Sequence, residues 1–304
     1  MDPALKNRLK YGTLMLSVVA VLLALDKCVE SWTVGRVVDA WGGPHGIGGV
    51  GLLVLLLLIL PPATFELATL FAAEKVRPYW LLAAIGNGLL ALHAFLTQWP
   101  WFQRISTSSL AFIIVFVMLL AALLRALMRQ VQDAIHQMAG TLLATLYLGG
   151  LAWFIMALRV KHSQPGSYVH FNGTTAIILL IILVVKFTDI GAYFGGKALG
   201  RHKLIPWLSP GKTWEGLFFG LLTGALLGAV GGHLIQSLLW WKGLVFGLVM
   251  GGVGQMGDLM ESLMKRDAEV KDSGRLIPGF GGILDVIDSP LFAAPFAYIL
   301  FSFF

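Results

Sequence analysis

Long apolar runs separated by short polar islands set the pattern of this chain. The runs fall at about 11–26, 47–72, 79–98, 107–128, 138–158, 174–190, 214–236, 239–257 and 289–304. About 20 mostly apolar residues make a helix long enough to cross the hydrocarbon core of a bilayer. The pattern therefore predicts nine transmembrane helices. A membrane β-barrel would alternate apolar and polar residues in segments of about 10. These runs are continuous, so the predicted fold class is an all-α integral membrane protein. The first and last runs are short, and Pro61-Pro62 is expected to kink or break the second helix. No soluble domain fits between the runs, and no internal repeat is evident. The chain divides into an N-terminal region, 1–170, with about five spans, and a C-terminal region, 171–304, which holds the polar segments 190–213 and 257–289.

Composition sharpens this reading. Hydrophobic residues make up 57% of the chain and charged residues 12%, against roughly 25% charged in soluble domains. The mean hydropathy is +0.81. A globular domain on a single anchor is excluded. The 36 glycines suit helices that approach closely inside a membrane. The lone cysteine, Cys28, can form no internal disulfide, so it says nothing of the redox compartment. Lys6, Arg8 and Lys10 ahead of an apolar run resemble a signal peptide. No small-x-small cleavage site follows, so the run is expected to stay as the first helix.

Charge orients the set. With the N-terminus in the cytoplasm and the spans alternating, the inner side holds Lys6, Arg8, Lys10, Lys75, Arg77, Arg125, Arg129, Lys197, Arg201, Lys203, Lys212, Lys265, Arg266, Lys271 and Arg275. The outer side holds Lys27, Arg36, Arg104, Arg159, Lys161 and Lys242, while Lys186 lies within a span. Fifteen cations against six obey the positive-inside rule and place 190–213 and 257–289 on the cytoplasmic face, where nucleotides are. The outer segments 27–46 and 159–173 carry no evident chemistry. The net charge of +6 is thus partly a topology signal. No aromatic-basic platform accompanies it, so a nucleic-acid partner is not expected.

The first polar island is KFTDIGAYFGGKALGRHKLIPWLSPGKTWEG, 186–216. Asp189 closes an apolar span three residues after Lys186, a spacing at which the two share a helix face and can pair. Ionisable residues at membrane depth are functional candidates, and a buried structural ion pair is the competing reading. Gly191, Gly195 and Gly196 are expected to make the next turn tight. Gly211-Lys212-Thr213 has the ending of a phosphate-binding P-loop, but Pro206 stands where that motif requires glycine, and no strand is expected before it. A P-loop is therefore rejected. A Pro-Gly turn with Lys212 and Thr213 at a helix entry can still hold a phosphate. Plain capping by Ser209 or Thr213, with Glu215 in the first turn, explains the same residues.

The second island, GDLMESLMKRDAEVKDSGRLIPGFGGILDVIDSP, runs from 257 to 290. Asp258 and Ser262 are four apart, as are Glu261 and Lys265, so each pair shares a helix face. Arg266, Lys271, Asp272, a PGFGG turn, Asp285 and Asp288 follow. Asp288-Ser289-Pro290 reads as a helix start, with Asp288 as its cap. Carboxylates from the end of one span and the start of the next suit a Mg²⁺ bound by one or two carboxylates plus substrate phosphates. Cations alongside can hold phosphate or contact lipid headgroups.

This stretch resembles the signature of the phosphatidate cytidylyltransferases (CDP-diacylglycerol synthases). Ser262, Lys265, Arg266, Lys271, Asp272, Pro278, Gly281, Gly282, Asp285 and Asp288 fall in register with it. Upstream, Asp189, Gly191, Tyr193, Ser209, Lys212, Thr213 and Glu215 are similar to two further elements of that family. The motifs cover roughly the last 120 residues. Two positions depart: Phe280 stands for a family histidine and Val286 for a family arginine. The resemblance implies transfer of CMP from CTP to phosphatidate, with pyrophosphate leaving, in a bacterial inner membrane. It implies Mg²⁺ on Asp258 and Asp285, with Asp288 in support and room for a second cation such as K⁺. Lys212, Lys265, Arg266 and Lys271 would hold phosphates. Asp189, Ser209, Thr213, Glu215, Ser262, Asp272, Gly281 and Gly282 would line the substrate site. A homodimer is the implied assembly. Two departures at the site leave open another lipid acceptor, or a scaffold without activity, and a transporter is a rival of a different class.

Overall fold

The computed structural model describes residues 3–33, 46–129, 131–161, 174–234 and 238–303. Its helices, in order, are α1 (Pro3–Thr33), α2 (Val50–Ala73), α3 (Trp80–Leu96), a single turn α4 (Pro100–Gln103), α5 (Ser106–Leu127), α6 (Ala134–Val160), α7 (Thr174–Leu199), α8 (Trp214–Leu234), α9 (Trp240–Asp267) and α10 (Leu284–Phe303). A two-stranded hairpin, β1 (Lys203–Ile205) and β2 (Ser209–Thr213), joins α7 to α8. Among the described residues, eight helices are long and apolar enough to cross a membrane, and α3 is a shorter apolar helix of 17 residues. Together these are the nine apolar segments expected, and the protein is an all-α integral membrane protein. Most of the two segments expected outside, 34–45 and 162–173, and the end of the seventh span, 235–236, lie outside the described residues.

The helices run past the apolar segments that predict them. α1 continues through Lys27 to Thr33, α7 through the expected glycine turn to Leu199, and α9 ten residues beyond the expected end, to Asp267. α10 starts at Leu284, five residues early. Helices do not stop where a membrane would; they stop where their backbone ends are satisfied. Pro61-Pro62 does not break α2, which continues through both residues.

Two compact units emerge. The first comprises Met1–Val160 with Asp267–Val286, and the second Lys161–Arg266 with Ile287–Phe304. In the first unit, Leu60 and Leu67 of α2, Leu90 of α3, and Leu148 and Met156 of α6 are almost fully buried. Polar groups in this core are paired, as desolvation demands. Asn87 donates to the Thr64 hydroxyl at 2.7 Å and accepts from the amide of Gly149 at 3.0 Å, where α6 opens into a π-turn over Thr145–Gly150. Arg159, wholly buried, donates through Nε to Asp26 at 2.6 Å and through Nη2 to Glu30 at 2.8 Å. Asp26 also accepts from the Gly51 amide at 3.2 Å. The C-terminal end of α1 thus holds an ion triad, with Asp26 and Arg159 buried and Glu30 half-buried, beside a segment where the sequence suggested no chemistry.

In the second unit, glycine fixes the packing. Gly191 and Gly195, expected in a turn, lie within α7, facing Thr223 and Phe219 of α8. A Cβ on Gly220 would lie 2.8 Å from the Thr188 carbonyl oxygen, and one on Gly228 would lie 2.7 Å from the Cα of Gly247 in α9. Backbones this close exclude larger residues and gain dispersion contact that lipid cannot match. The same close approach holds α7, α8 and α9 in fixed register, so their polar ends form a defined surface.

Candidate active site

Four elements of the second unit place charged side chains together. On α9, Gln255, Asp258, Glu261, Ser262 and Lys265 recur at helical spacing along one side. α7 supplies Lys186 and Asp189, the hairpin supplies Lys212, and α10 supplies Asp288. One oxygen each from Asp258, Glu261 and Asp288 lies within 4.8 Å of the others. Glu261 and Asp288 are buried and Asp258 is half-buried. Two buried like charges at that separation repel by about 3.5 kcal/mol at an effective dielectric of about 20. The cluster therefore calls for compensating positive charge. Lys212 Nζ lies 2.5 Å from Asp258 and Lys265 Nζ 3.1 Å from Glu261. Lys186 acts electrostatically on both Asp189 and Asp288.

A chain of contacts runs through this surface. Gln255 donates to Asp189 at 2.6 Å, and its carbonyl accepts from Lys212 at 2.9 Å. Lys212 then meets Asp258. Asp189, inside α7 rather than at its end, thus takes Gln255 as its hydrogen-bond partner. Lys212 projects from β2, and the SPGKT segment is itself a strand, paired antiparallel with Lys203–Ile205. Thr213 accepts from the Gly216 amide at 3.1 Å, which makes it the cap of α8. Glu215 turns back to the hairpin. Its carboxylate accepts from the amides of Arg201 at 3.1 Å and His202 at 3.2 Å and meets His202 Nδ1 at 2.6 Å. Glu215 and Thr213 thus brace the strand that carries Lys212. Ser209 opens that strand, and Ser262 sits half-buried one turn beyond Asp258. Arg266 is exposed on the last turn of α9.

The rest of the signature belongs to the first unit. Asp285 accepts from the Ser273 amide at 3.1 Å, the Ser273 hydroxyl at 2.9 Å and the Gly282 amide at 2.6 Å. Its carboxylate closes the glycine turn over the start of α10. Within the turn, Ile277 and Gly281 pair by exchanging backbone hydrogen bonds. Gly279 and Gly281 have φ of +89° and +100°, where a side chain is strained. Lys271 and Asp272 are exposed before the turn. Phe280, where the family has histidine, faces Gly12 of α1, with its ring 3.2 Å from where a Cβ would stand. Val286 is half-buried in the first turn of α10.

Asp288 is not the cap of the last helix. α10 begins at Leu284, so Asp288 lies one turn inside it. The capping role falls to Glu66 of α2, which accepts from the amides of Ile283 at 3.1 Å and Leu284 at 2.8 Å. Sequence reasoning gives no site role to Glu66, Glu261 or Gln255. Glu66 did carry a signal: it is an acid within a long apolar run. Glu261 was explained as the helix partner of Lys265. Gln255, uncharged in a glycine-rich stretch, gave no sign.

Comparison with known proteins bears on this arrangement. The profile of the cytidylyltransferase family matches residues 45–304. A phosphatidate cytidylyltransferase of Bacillus subtilis (strain 168) is 32% identical over 256 residues, covering 84% of this chain and 91% of that protein. One of Staphylococcus aureus (strain COL) is 34% identical over 257 residues, covering 83% and 90%. One of Synechocystis sp. (strain ATCC 27184 / PCC 6803 / Kazusa) is 46% identical over 138 residues, 44% of this chain and 47% of that protein. The family match takes in both units and every polar residue of the acidic surface and the glycine turn, and the chain belongs to the cytidylyltransferase family.

Proposed function

We propose that the protein transfers CMP from CTP to phosphatidate, giving CDP-diacylglycerol and pyrophosphate. The observation that carries this reading is the buried carboxylate cluster of Asp258, Glu261 and Asp288, flanked by Lys212 and Lys265. The names of the relatives supply the substrates. A phosphate oxygen of the lipid attacks the α-phosphorus of CTP, the bond from that phosphorus to the bridging oxygen breaks, and pyrophosphate leaves with the electron pair. Such a reaction needs positioning and charge neutralisation rather than a covalent group on the protein.

The donor set fits a hard divalent cation. Such cations take carboxylate oxygens, and Asp258, Glu261 and Asp288 each offer one oxygen within 4.8 Å of the other two. In this reading Asp258, Glu261 and Asp288 hold Mg²⁺, which neutralises phosphate charge when bound. Asp285, its oxygens already accepting from Ser273 and Gly282, holds the turn instead. Lys212 and Lys265 exchange a carboxylate partner for a phosphate oxygen as substrate binds. Exposed Arg266, on the last turn of α9, meets phosphate first. The Gln255 amide, fixed by Asp189, keeps the Lys212 ammonium in place through that exchange. CTP reaches this surface from the cytoplasm, the side the cation bias assigns to it, and the acyl chains stay in the bilayer.

Pyrophosphate release from CTP by the purified protein in detergent, with Mg²⁺ and with or without phosphatidate, tests this. Release that needs phosphatidate and yields a CDP-linked lipid is expected. Phe280 and Val286 favour one alternative, a different lipid phosphate as acceptor, because both replace polar family residues with apolar ones. Release with an isoprenoid or ether-lipid phosphate but not with phosphatidate would select it.

A further inference from the structure

We infer that Glu66, in the middle of α2 and outside every signature motif, is a positioning residue for the reaction: it fixes the glycine turn 278–282 and the first turn of α10, which carries Asp285 and, three residues on, Asp288. This rests on the reading of the acidic residues given above.

Four observations converge on it. Glu66 is 3% exposed, although it is a carboxylate in a helix of apolar residues. Burying an unpartnered carboxylate there would cost many kcal/mol, so the site is built around it. Its partners all come from more than 200 residues along the chain: the amides of Ile283 at 3.1 Å and Leu284 at 2.8 Å, and the hydroxyl of Ser273 at 3.4 Å. These amides belong to the open N-terminal end of α10, where a negative charge is favoured by the helix dipole as well as by hydrogen bonding. The backbone is shaped to admit it. A Cβ on Gly274 would lie 2.8 Å from the Glu66 Cδ, and one on Gly282 would lie 2.6 Å from the same atom. Both positions are glycine, and neither has a positive φ to explain it.

The Ser273 hydroxyl ties Glu66 to the turn that Asp285 holds. It also lies 2.9 Å from Asp285, whose second contact is the Gly282 amide at 2.6 Å. Glu66 and Asp285 therefore grip the same serine and the same turn from two sides. Two residues before Glu66, Thr64 accepts from Asn87, which in turn accepts from the Gly149 amide. Glu66 thus sits on a helix whose rotation is pinned to α3 and α6. A rigid carboxylate delivered by α2 holds the first turn of α10, which carries Asp285 and leads within the same helix to Asp288.

Glu66→Gln keeps the size but replaces one accepting oxygen with a donor that faces an amide. Gly282→Ala pushes on the carboxylate from the other side. Two readouts separate positioning from plain stability. The first is turnover per folded molecule, beside Leu148→Ala, a core variant with a comparable loss of Tm. Misplacement of about 1 Å at such a site costs on the order of 100-fold. We expect both Glu66→Gln and Gly282→Ala to lose roughly 10- to 100-fold, with a higher Mg²⁺ concentration for half-maximal rate, while Leu148→Ala keeps its rate. The second is amide hydrogen exchange over 273–285, which does not depend on activity and should quicken in both variants. Wild-type turnover and Mg²⁺ dependence in Glu66→Gln would overturn the proposal, as would unchanged exchange over that stretch. If the wild-type protein itself has no activity, the proposed function fails, while the exchange experiment still decides what Glu66 holds.

Discussion

Asp288→Asn separates stability from function in a way that follows directly from the acidic cluster. Asp288 is buried, and its oxygen lies within 4.8 Å of those of Glu261 and Asp258. Its repulsion with buried Glu261 is about 3.5 kcal/mol at an effective dielectric of about 20. The repulsion with half-exposed Asp258 is smaller, since solvent screens it. Against this stands the attraction to Lys186, which the substitution also removes. Asparagine matches the shape of aspartate, so no cavity opens. We expect the relief to offset the loss, so that the Tm without divalent ion stays within a few degrees of wild type or rises. Turnover is expected to fall at least 100-fold, because the charge exists to meet a cation and phosphate. Mg²⁺ should raise the Tm of the wild-type protein, since a ligand bound only by the folded state stabilises it, and should do so far less in the variant. Thermal unfolding of the detergent-purified proteins, with and without Mg²⁺, and pyrophosphate release measure both halves. Wild-type turnover in Asp288→Asn, or an equal Mg²⁺-induced rise in Tm, would refute the reasoning.

Other outcomes follow from the same geometry. Gln255→Leu removes the group that ties Lys212 to Asp189 and should lower kcat/KM for CTP about tenfold, as expected for one lost buried hydrogen bond to a charged group, with little change in Tm. Arg159→Met strands Asp26 as a buried charge and should cost about 3–5 kcal/mol of stability, with turnover per folded molecule retained; adding Asp26→Asn should recover much of the loss. Gly228→Ala puts a methyl against the backbone of α9 and should cost about 1–3 kcal/mol. Gly211→Ala, where a Cβ meets nothing within 4 Å, should leave the Tm unchanged.

Hydropathy made the helices legible but not their ends, and the ends are where the site lies. The nine apolar segments are present because burial in lipid selects for them. Their polar extensions are held by partners that no window average can find. α10 starts at Leu284 because Glu66 caps it, and the sequence around Asp288-Ser289-Pro290 pointed to a later start because proline favours a first turn. α7 runs through Gly191 and Gly195 because those glycines face Thr223 and Phe219 of α8; read alone, they signal a turn. The helical spacing of Asp258, Glu261 and Lys265 was visible directly, since α9 continues through them. Asp288 joins Asp258 and Glu261, whereas Asp285, in the first turn of α10, reaches back to Ser273 and Gly282. Three residues of spacing do not reveal that without knowing where the helix begins.

The central claim is CMP transfer to a lipid, and isotope placement tests it most directly. The purified protein would be incubated with phosphatidate vesicles, Mg²⁺ and CTP labelled at either the α- or the γ-phosphorus, and the lipid then extracted. The account predicts α-label in the lipid fraction and γ-label only in pyrophosphate, with both transfers lost in Asp258→Asn. Lipid that carries no label from α-labelled CTP, or label that appears from the γ-position, would contradict it.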